Sequence, residues 1–73
     1  MAKHAKLVKA TEVKVGDMIS IRNVLRDELE FFHISHVRTG GEMIALNYAT
    51  PEGQEVDYLR LHKTDSLHII IED

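Results

Sequence analysis

Residues 29–48 read LEFFHISHVRTGGEMIALNY and contain the strongest fold signal in this 73-residue chain. The pair Gly40-Gly41 separates two runs that are rich in β-branched, aromatic and aliphatic residues, and two glycines in such a position are a typical hairpin signal. From Met43 to Tyr48, apolar residues alternate with others, as they do in a strand that buries one face. The stretch therefore predicts an antiparallel β-hairpin.

The strand before the glycines contains one irregularity. Phe32 and Ile34 share one face of the strand. In a regular strand Val37 would point to the opposite face, because side chains alternate with a period of two. A β-bulge near Ser35 would return Val37 to the buried side, since a bulge inserts one extra residue into a strand. We therefore predict a bulged strand over residues 29–38.

Turn-forming residues recur along the rest of the chain, at intervals of about ten residues. Turn signals such as Gly16-Asp17, Pro51-Glu52-Gly53 and Lys63-Thr64-Asp65 alternate with short runs of Val, Ile, Leu, Phe and Tyr. This spacing predicts a mainly β fold, which we expect to be a small five- to six-stranded antiparallel barrel of SH3-like or OB-like architecture. Closing the sheet would remove its unpaired edges. The further strands are expected at residues 6–9, 18–25, 56–61 and 67–71.

A second interpretation places one short helix near residues 23–33. Apolar residues from Ile21 to Phe32 recur every three to four positions, and Asn23 is a good N-cap residue. The aromatic and β-branched residues at the end of this segment favour a strand instead. We expect a hairpin that turns through Arg26-Asp27-Glu28, with the helix as the alternative.

The chain length predicts a single domain, residues 1–73, with residues 1–5 as a flexible basic arm. A chain of this size buries roughly 60% of its unfolded surface, so the core is small. The absence of cysteine excludes disulfides and Cys-based zinc sites and fits a reducing compartment. No apolar run approaches the roughly 20 residues that span a bilayer. We therefore predict a soluble, cytoplasmic protein without membrane contacts.

The apolar residues predict an interaction surface. Val24, Phe31 and Ile70 are apolar side chains that strand alternation directs away from the core, and together they would form a patch that needs cover. Self-association would also supply stability that a small core lacks. The function that we favour is a non-catalytic interaction module acting through protein contacts, as an adaptor or a homo-oligomer.

The charge distribution leaves two alternatives. Residues 1–14 carry a charge of +3 and residues 50–73 a charge of −4, within a net charge of −3. An acidic protein is a poor non-specific ligand for nucleic acid, but a local basic surface beside an exposed aromatic could bind a single strand. The residues of this nucleic-acid-binding or regulatory module would be Lys3, Lys6, Lys9, Arg22 and Arg38. The other alternative is an inhibitor whose acidic surface binds a basic partner, through Glu52, Glu55, Asp57, Asp65, Glu72 and Asp73.

Catalytic and metal chemistry have little support in the sequence. His33 and His36 share a face only across a bulge or in a helix, and zinc needs three or four converging ligands. A serine nucleophile needs a base and an orienting acid. For Ser35, the base would have to be His33 and the acid Asp57. No nucleophile-elbow glycine pattern is present. We predict no enzymatic activity, no metal and no cofactor.

Overall fold

Six strands account for most of residues 2–72, which are the residues that the computed structural model describes. One 3-10 turn, Ala10–Glu12, lies between the first two strands, and no helix within the described residues is long and apolar enough to cross a membrane. The strands are β1 (Lys3–Lys9), β2 (Met18–Asn23), β3 (Glu28–Gly40), β4 (Met43–Ala49), β5 (Glu55–His62) and β6 (Ser66–Glu72).

All six strands belong to one antiparallel sheet with the order β1-β6-β2-β3-β4-β5. Strands β2 to β5 form a meander, and β6 returns to lie between β1 and β2. Strands β1 and β6 pair along their whole length, whereas the ladder between β6 and β2 consists of one pair, Met18 and Ile70. The mainly β, antiparallel prediction is confirmed. Closure into a barrel is not, because β1 and β5 remain the two edges of the sheet.

The hairpin predicted at the glycine pair joins β3 and β4. Its two turn residues are Gly41 and Glu42, one position later than predicted, and Gly40 pairs with Met43 across the strands. Gly41 has a φ of 56°. A positive φ at the first of two turn residues is what a type II′ hairpin requires, and glycine adopts it without a Cβ clash.

Strand β3 contains the predicted bulge. The register between β3 and β4 shifts between Ile34 and His36, so Ser35 is the extra residue. As a consequence, Ile34 is fully buried and Val37 packs against the same core. The shift also places His33 and His36 together on the opposite side of the sheet.

A turn over residues 24–27 connects β2 to β3, so the helix near residues 23–33 is wrong. The Asn23 Oδ1 atom accepts hydrogen bonds from the backbone N–H groups two and three positions later, at 3.1 and 3.2 Å. Asn23 therefore caps the turn with the bonds that it would use at a helix N-terminus. Asp27 then adopts a φ of 52°, which ends the turn. The predicted hairpin through Arg26-Asp27-Glu28 is confirmed, with its last residue already in β3.

Strand β1 begins earlier than predicted. Lys3, His4 and Ala5 pair with the end of β6, so the arm predicted for residues 1–5 is wrong at these three positions. Because β2 pairs with β6 at one position only, β1 provides most of the hydrogen-bonding partners that β6 needs.

The core lies on one face of the sheet and is apolar throughout. Ile34, Ile44 and Leu46 are the largest fully buried side chains, and no polar or charged residue among residues 2–72 is buried. The rings of Phe32 and Tyr48 pack with their centroids 5.0 Å apart at a tilt of 56°. This single layer of apolar side chains leaves the opposite face of the sheet, called the outer face below, for other contacts.

Candidate binding surfaces

Cross-strand register identifies the members of the outer face, because directly paired residues point to the same side of a sheet. One row runs from Ile70 through Met18 to His33, and the neighbouring row joins Ser20 to Phe31. A third row, beyond the bulge, joins Arg38 to Ala45 and Ala45 to Arg60.

Two of the three predicted interface residues lie on the outer face. Phe31 and Ile70 flank β2 there, and both are half-buried. The Lys3 Nζ atom lies 5.0 Å from the centroid of the Phe31 ring, which is a cation–π distance. Val24 lies in the β2–β3 turn instead, with 84% of its surface exposed. Phe31 therefore already has a partner within the chain, whereas Val24 has its surface in solvent.

The β2–β3 hairpin ends in three exposed apolar side chains, which we call the apolar tip: Val24, Leu25 and Leu29. Leu25 is 99% exposed and Leu29 is 51% exposed. Sequence alternation extends the strand to residue 25 and thus misses this exposure. The signal that could have revealed it is Asn23, because an Asn side chain commonly hydrogen-bonds to the backbone two residues later and starts a turn.

Polar contacts hold the hairpin below the apolar tip. The Asn23 Nδ2 atom donates to Glu30 Oε1 at 2.8 Å, and Arg22 Nη1 lies 2.7 Å from Asp27 Oδ1. The latter ion pair is largely solvent-exposed, so it contributes little stability, but it lies across the hairpin and favours the turn geometry. The conformation of the tip is therefore determined by hydrogen bonds, and its apolar side chains add almost nothing to the core.

The five basic residues predicted for a nucleic-acid site do not form one group. In β1, Lys3 and Lys9 point to one side of the sheet and Lys6 to the other, because they alternate. Arg22 is engaged with an aspartate of the adjoining turn. Arg38 lies on the outer face but is separated from β1 by two strands.

Arg38 forms a basic group with Arg60 on β5 instead. Its Nε atom donates to Asn47 Oδ1 at 3.0 Å, and its guanidinium carbon lies 5.4 Å from the centroid of the Tyr58 ring. An open cavity of about 250 Å³ lies between the two arginines, and Ala45 contributes to its lining. Only the register of three strands reveals this grouping, which is why the sequence alone does not assign Arg60 to a site.

The acidic residues predicted for an inhibitory surface are spread over several elements. Glu55 and Asp57 lie on β5, and Glu55 Oε1 is 3.5 Å from His36 Nδ1. Asp65 lies in the β5–β6 turn, where its carboxylate accepts the His62 backbone N–H at 2.8 Å. The remaining positions are Glu52 in the β4–β5 turn, Glu72 at the end of β6, and Asp73, which lies outside the described residues.

The catalytic arrangement considered from the sequence is not assembled. The Ser35 Oγ atom is buried and has no hydrogen-bond partner among residues 2–72, so neither His33 nor Asp57 forms a hydrogen bond with it. Within the same residues, no three His, Asp or Glu side chains lie together in a way that could hold a metal ion.

Comparison of this chain with protein-family models, with curated proteins and with solved structures gives no match. The geometry of the apolar tip and of the outer face therefore provides the basis for the functional argument.

Proposed function

We propose that the protein is a non-catalytic interaction module that inserts its apolar tip into a groove of a different protein. The observation that carries this proposal is the exposure of Leu25, at 99%, beside Val24, at 84%. Full burial of a Val or Leu side chain is worth about 1.5–3 kcal/mol, and neither residue obtains this within its own fold.

The edges of the sheet are less suited to a protein contact than the tip. Lys6 on β1 and Asp57 on β5 both point to the core side of an edge strand, since each pairs with a core-facing residue. An inward-pointing charge on an edge strand opposes the addition of a further strand, because a docked strand would desolvate it. This supports a contact through side chains of the hairpin rather than through extension of the sheet.

The partner is expected to be another protein rather than a second copy. A symmetric contact between two tips would involve three apolar side chains per copy. The surface that these side chains could bury is far smaller than the roughly 1,200 Å² of total surface that a specific interface normally buries. A groove that encloses the hairpin buries more surface per side chain. The lack of cysteine suits a cytoplasmic setting, and the SH3-like or OB-like barrel assignment stays a prediction.

A photo-crosslinking amino acid at position 25 tests this proposal. We expect a discrete protein adduct in a cell extract, and we expect the Val24→Ser change in the same chain to diminish it. The matched control carries the crosslinker at position 56, because Val56 is also exposed, at 49%, but lies on β5. Adducts of equal yield from positions 25 and 56, or none from position 25, would contradict the proposal.

Light scattering of the purified protein separates the two forms of interaction. If the tip binds a different protein, the purified protein should be a monomer at all concentrations. A concentration-dependent mass that Leu25→Ser abolishes would instead show that the tip binds a second copy.

A further inference from the structure

The outer face of β3, β4 and β5 carries a basic depression that the tip does not explain. Arg38, Ala45 and Arg60 are direct cross-strand neighbours, so their side chains leave the sheet on the same side. The strands are about 4.8 Å apart, and the small Ala45 between the two arginines leaves space above the middle strand. The cavity of about 250 Å³ occupies this place.

Neither guanidinium is neutralised within the described chain. Arg22, Arg26 and His36 each pair with a carboxylate of residues 2–72, whereas no carboxylate lies within ion-pair distance of Arg38 or Arg60. Two like charges on one face of a sheet repel each other, and this repulsion falls when an anion lies between them. Guanidinium groups bind phosphate oxygens through paired, charge-assisted hydrogen bonds.

An exposed aromatic ring adjoins the two cations. Tyr58 lies two residues before Arg60 on β5, hence on the same face, and 44% of its surface is exposed. The Arg38 guanidinium lies 5.4 Å from the ring centroid and is oriented by Asn47. Strand β5 is an edge of the sheet, so no further strand among residues 2–72 adjoins the ring on that side. Exposed aromatics beside arginines are the elements with which sheet surfaces hold single-stranded nucleic acid.

We propose that this face binds single-stranded nucleic acid, with a backbone phosphate between Arg38 and Arg60 and a base against Tyr58. The site is separate from the apolar tip and does not depend on the protein contact proposed there. It shares only Arg38 with the basic site expected from the sequence, and it uses none of the lysines of β1.

Fluorescence anisotropy with a labelled oligothymidylate of about ten nucleotides tests the proposal, a length within the range of about 4–16 nucleotides that single-strand-binding OB folds engage. We expect salt-sensitive binding, and we expect Arg60→Gln to weaken it and to lower the salt slope by about one. Tyr58→Leu should weaken binding about tenfold through the loss of stacking. Both side chains are exposed, and circular dichroism of each variant verifies that it is folded.

Arg26→Gln is the matched control, because it removes one positive charge from the β2–β3 turn, away from this face. It should retain the wild-type affinity. An equal loss in Arg26→Gln and Arg60→Gln would show general charge attraction and overturn the site. Absence of binding at low salt, or equally tight binding of a duplex of mixed sequence, would overturn it as well. Competition by thymidine monophosphate at the same concentration as the oligonucleotide would identify a free nucleotide as the ligand and refute the single-strand proposal.

Discussion

The two tyrosines of the chain occupy opposite environments. Tyr48 is 9% exposed and packs against Phe32 on the core side, whereas Tyr58 is 44% exposed beside Arg38 on the outer face. The surroundings of Tyr48 also affect its ionisation. Burial raises the pKa of the Tyr48 phenol above its ordinary value of 10.0, and the charge of Asp57, its neighbour on β5, raises this pKa further.

The raised pKa of Tyr48 makes stability depend on alkaline pH. Between the unfolded and the folded pKa, the unfolded chain has lost the phenolic proton and the folded chain still binds it, so the free energy of unfolding falls as pH rises. The stabilisation that results from the raised pKa of Tyr48 is complete below a pH of about 10 and is lost as pH rises through the folded-state pKa.

We expect tyrosinate absorbance to show this shift in a Tyr58→Phe background, where Tyr48 is the remaining tyrosine. The ionisation midpoint should be higher in the folded protein than in urea. Adding Asp57→Asn should lower the folded-state midpoint, because it removes a negative charge that opposes ionisation. Equal midpoints in buffer and in urea would show that the phenol is solvated in the folded state.

Among the structural elements, the hairpins show most directly how local conformation determines strand direction. The β3–β4 hairpin depends on the positive φ of Gly41, and the β2–β3 hairpin on the side-chain cap provided by Asn23 and the positive φ of Asp27. The Lys14–Asp17 turn is a third case, with Gly16 at a φ of 98° in its third position, as in a type II turn.

Replacing Gly41 by Ala should destabilise the protein by about 1 kcal/mol or more, because an L-residue at positive φ is strained. Gly40→Ala is the matched control, since the adjacent glycine lacks a positive φ and a Cβ at either position meets nothing within 4 Å. Urea denaturation should give a lower midpoint for Gly41→Ala only. Similar midpoints for the two variants would indicate that the turn relaxes to another type.

On the scale of the whole molecule, one apolar layer supports both proposed binding surfaces. The core comprises side chains from β2, β3, β4 and β6, with Ala10 and Val13 between β1 and β2. A domain of this size has a stability of only about 3–5 kcal/mol, so the loss of one central side chain affects the entire sheet.

We expect Leu46→Ala to remove most of the stability of the protein. Leu46 is 0% exposed, and truncation of a buried Leu costs about 2–5 kcal/mol. The same truncation at Leu25, which is 99% exposed, should change stability by no more than about 0.5 kcal/mol. Urea denaturation followed by circular dichroism measures both. A large loss in Leu25→Ala would place the tip in the core and remove it as a free contact surface.

Local sequence patterns suffice to predict most of the strands, the glycine turn and the bulge at Ser35. These features follow from backbone stereochemistry and side-chain alternation, which involve neighbouring residues only. The same locality explains the two errors. The apolar residues around Asn23 have helical spacing, but the chain forms a turn there that uses the same Asn23 side-chain cap. The basic start of the chain gives no sign that β6 pairs with Lys3, His4 and Ala5.

The candidate sites depend on contacts between distant parts of the chain. Strand alternation identifies Val24 as outward-facing, although it lies in a turn, but the grouping of Arg38 with Arg60 requires the register of β3, β4 and β5. The position of β6 between β1 and β2 likewise has no local signal. Register and strand order result from packing the whole apolar layer, in which residues far apart in sequence become neighbours, and this packing determines which charges and aromatic rings share the outer face.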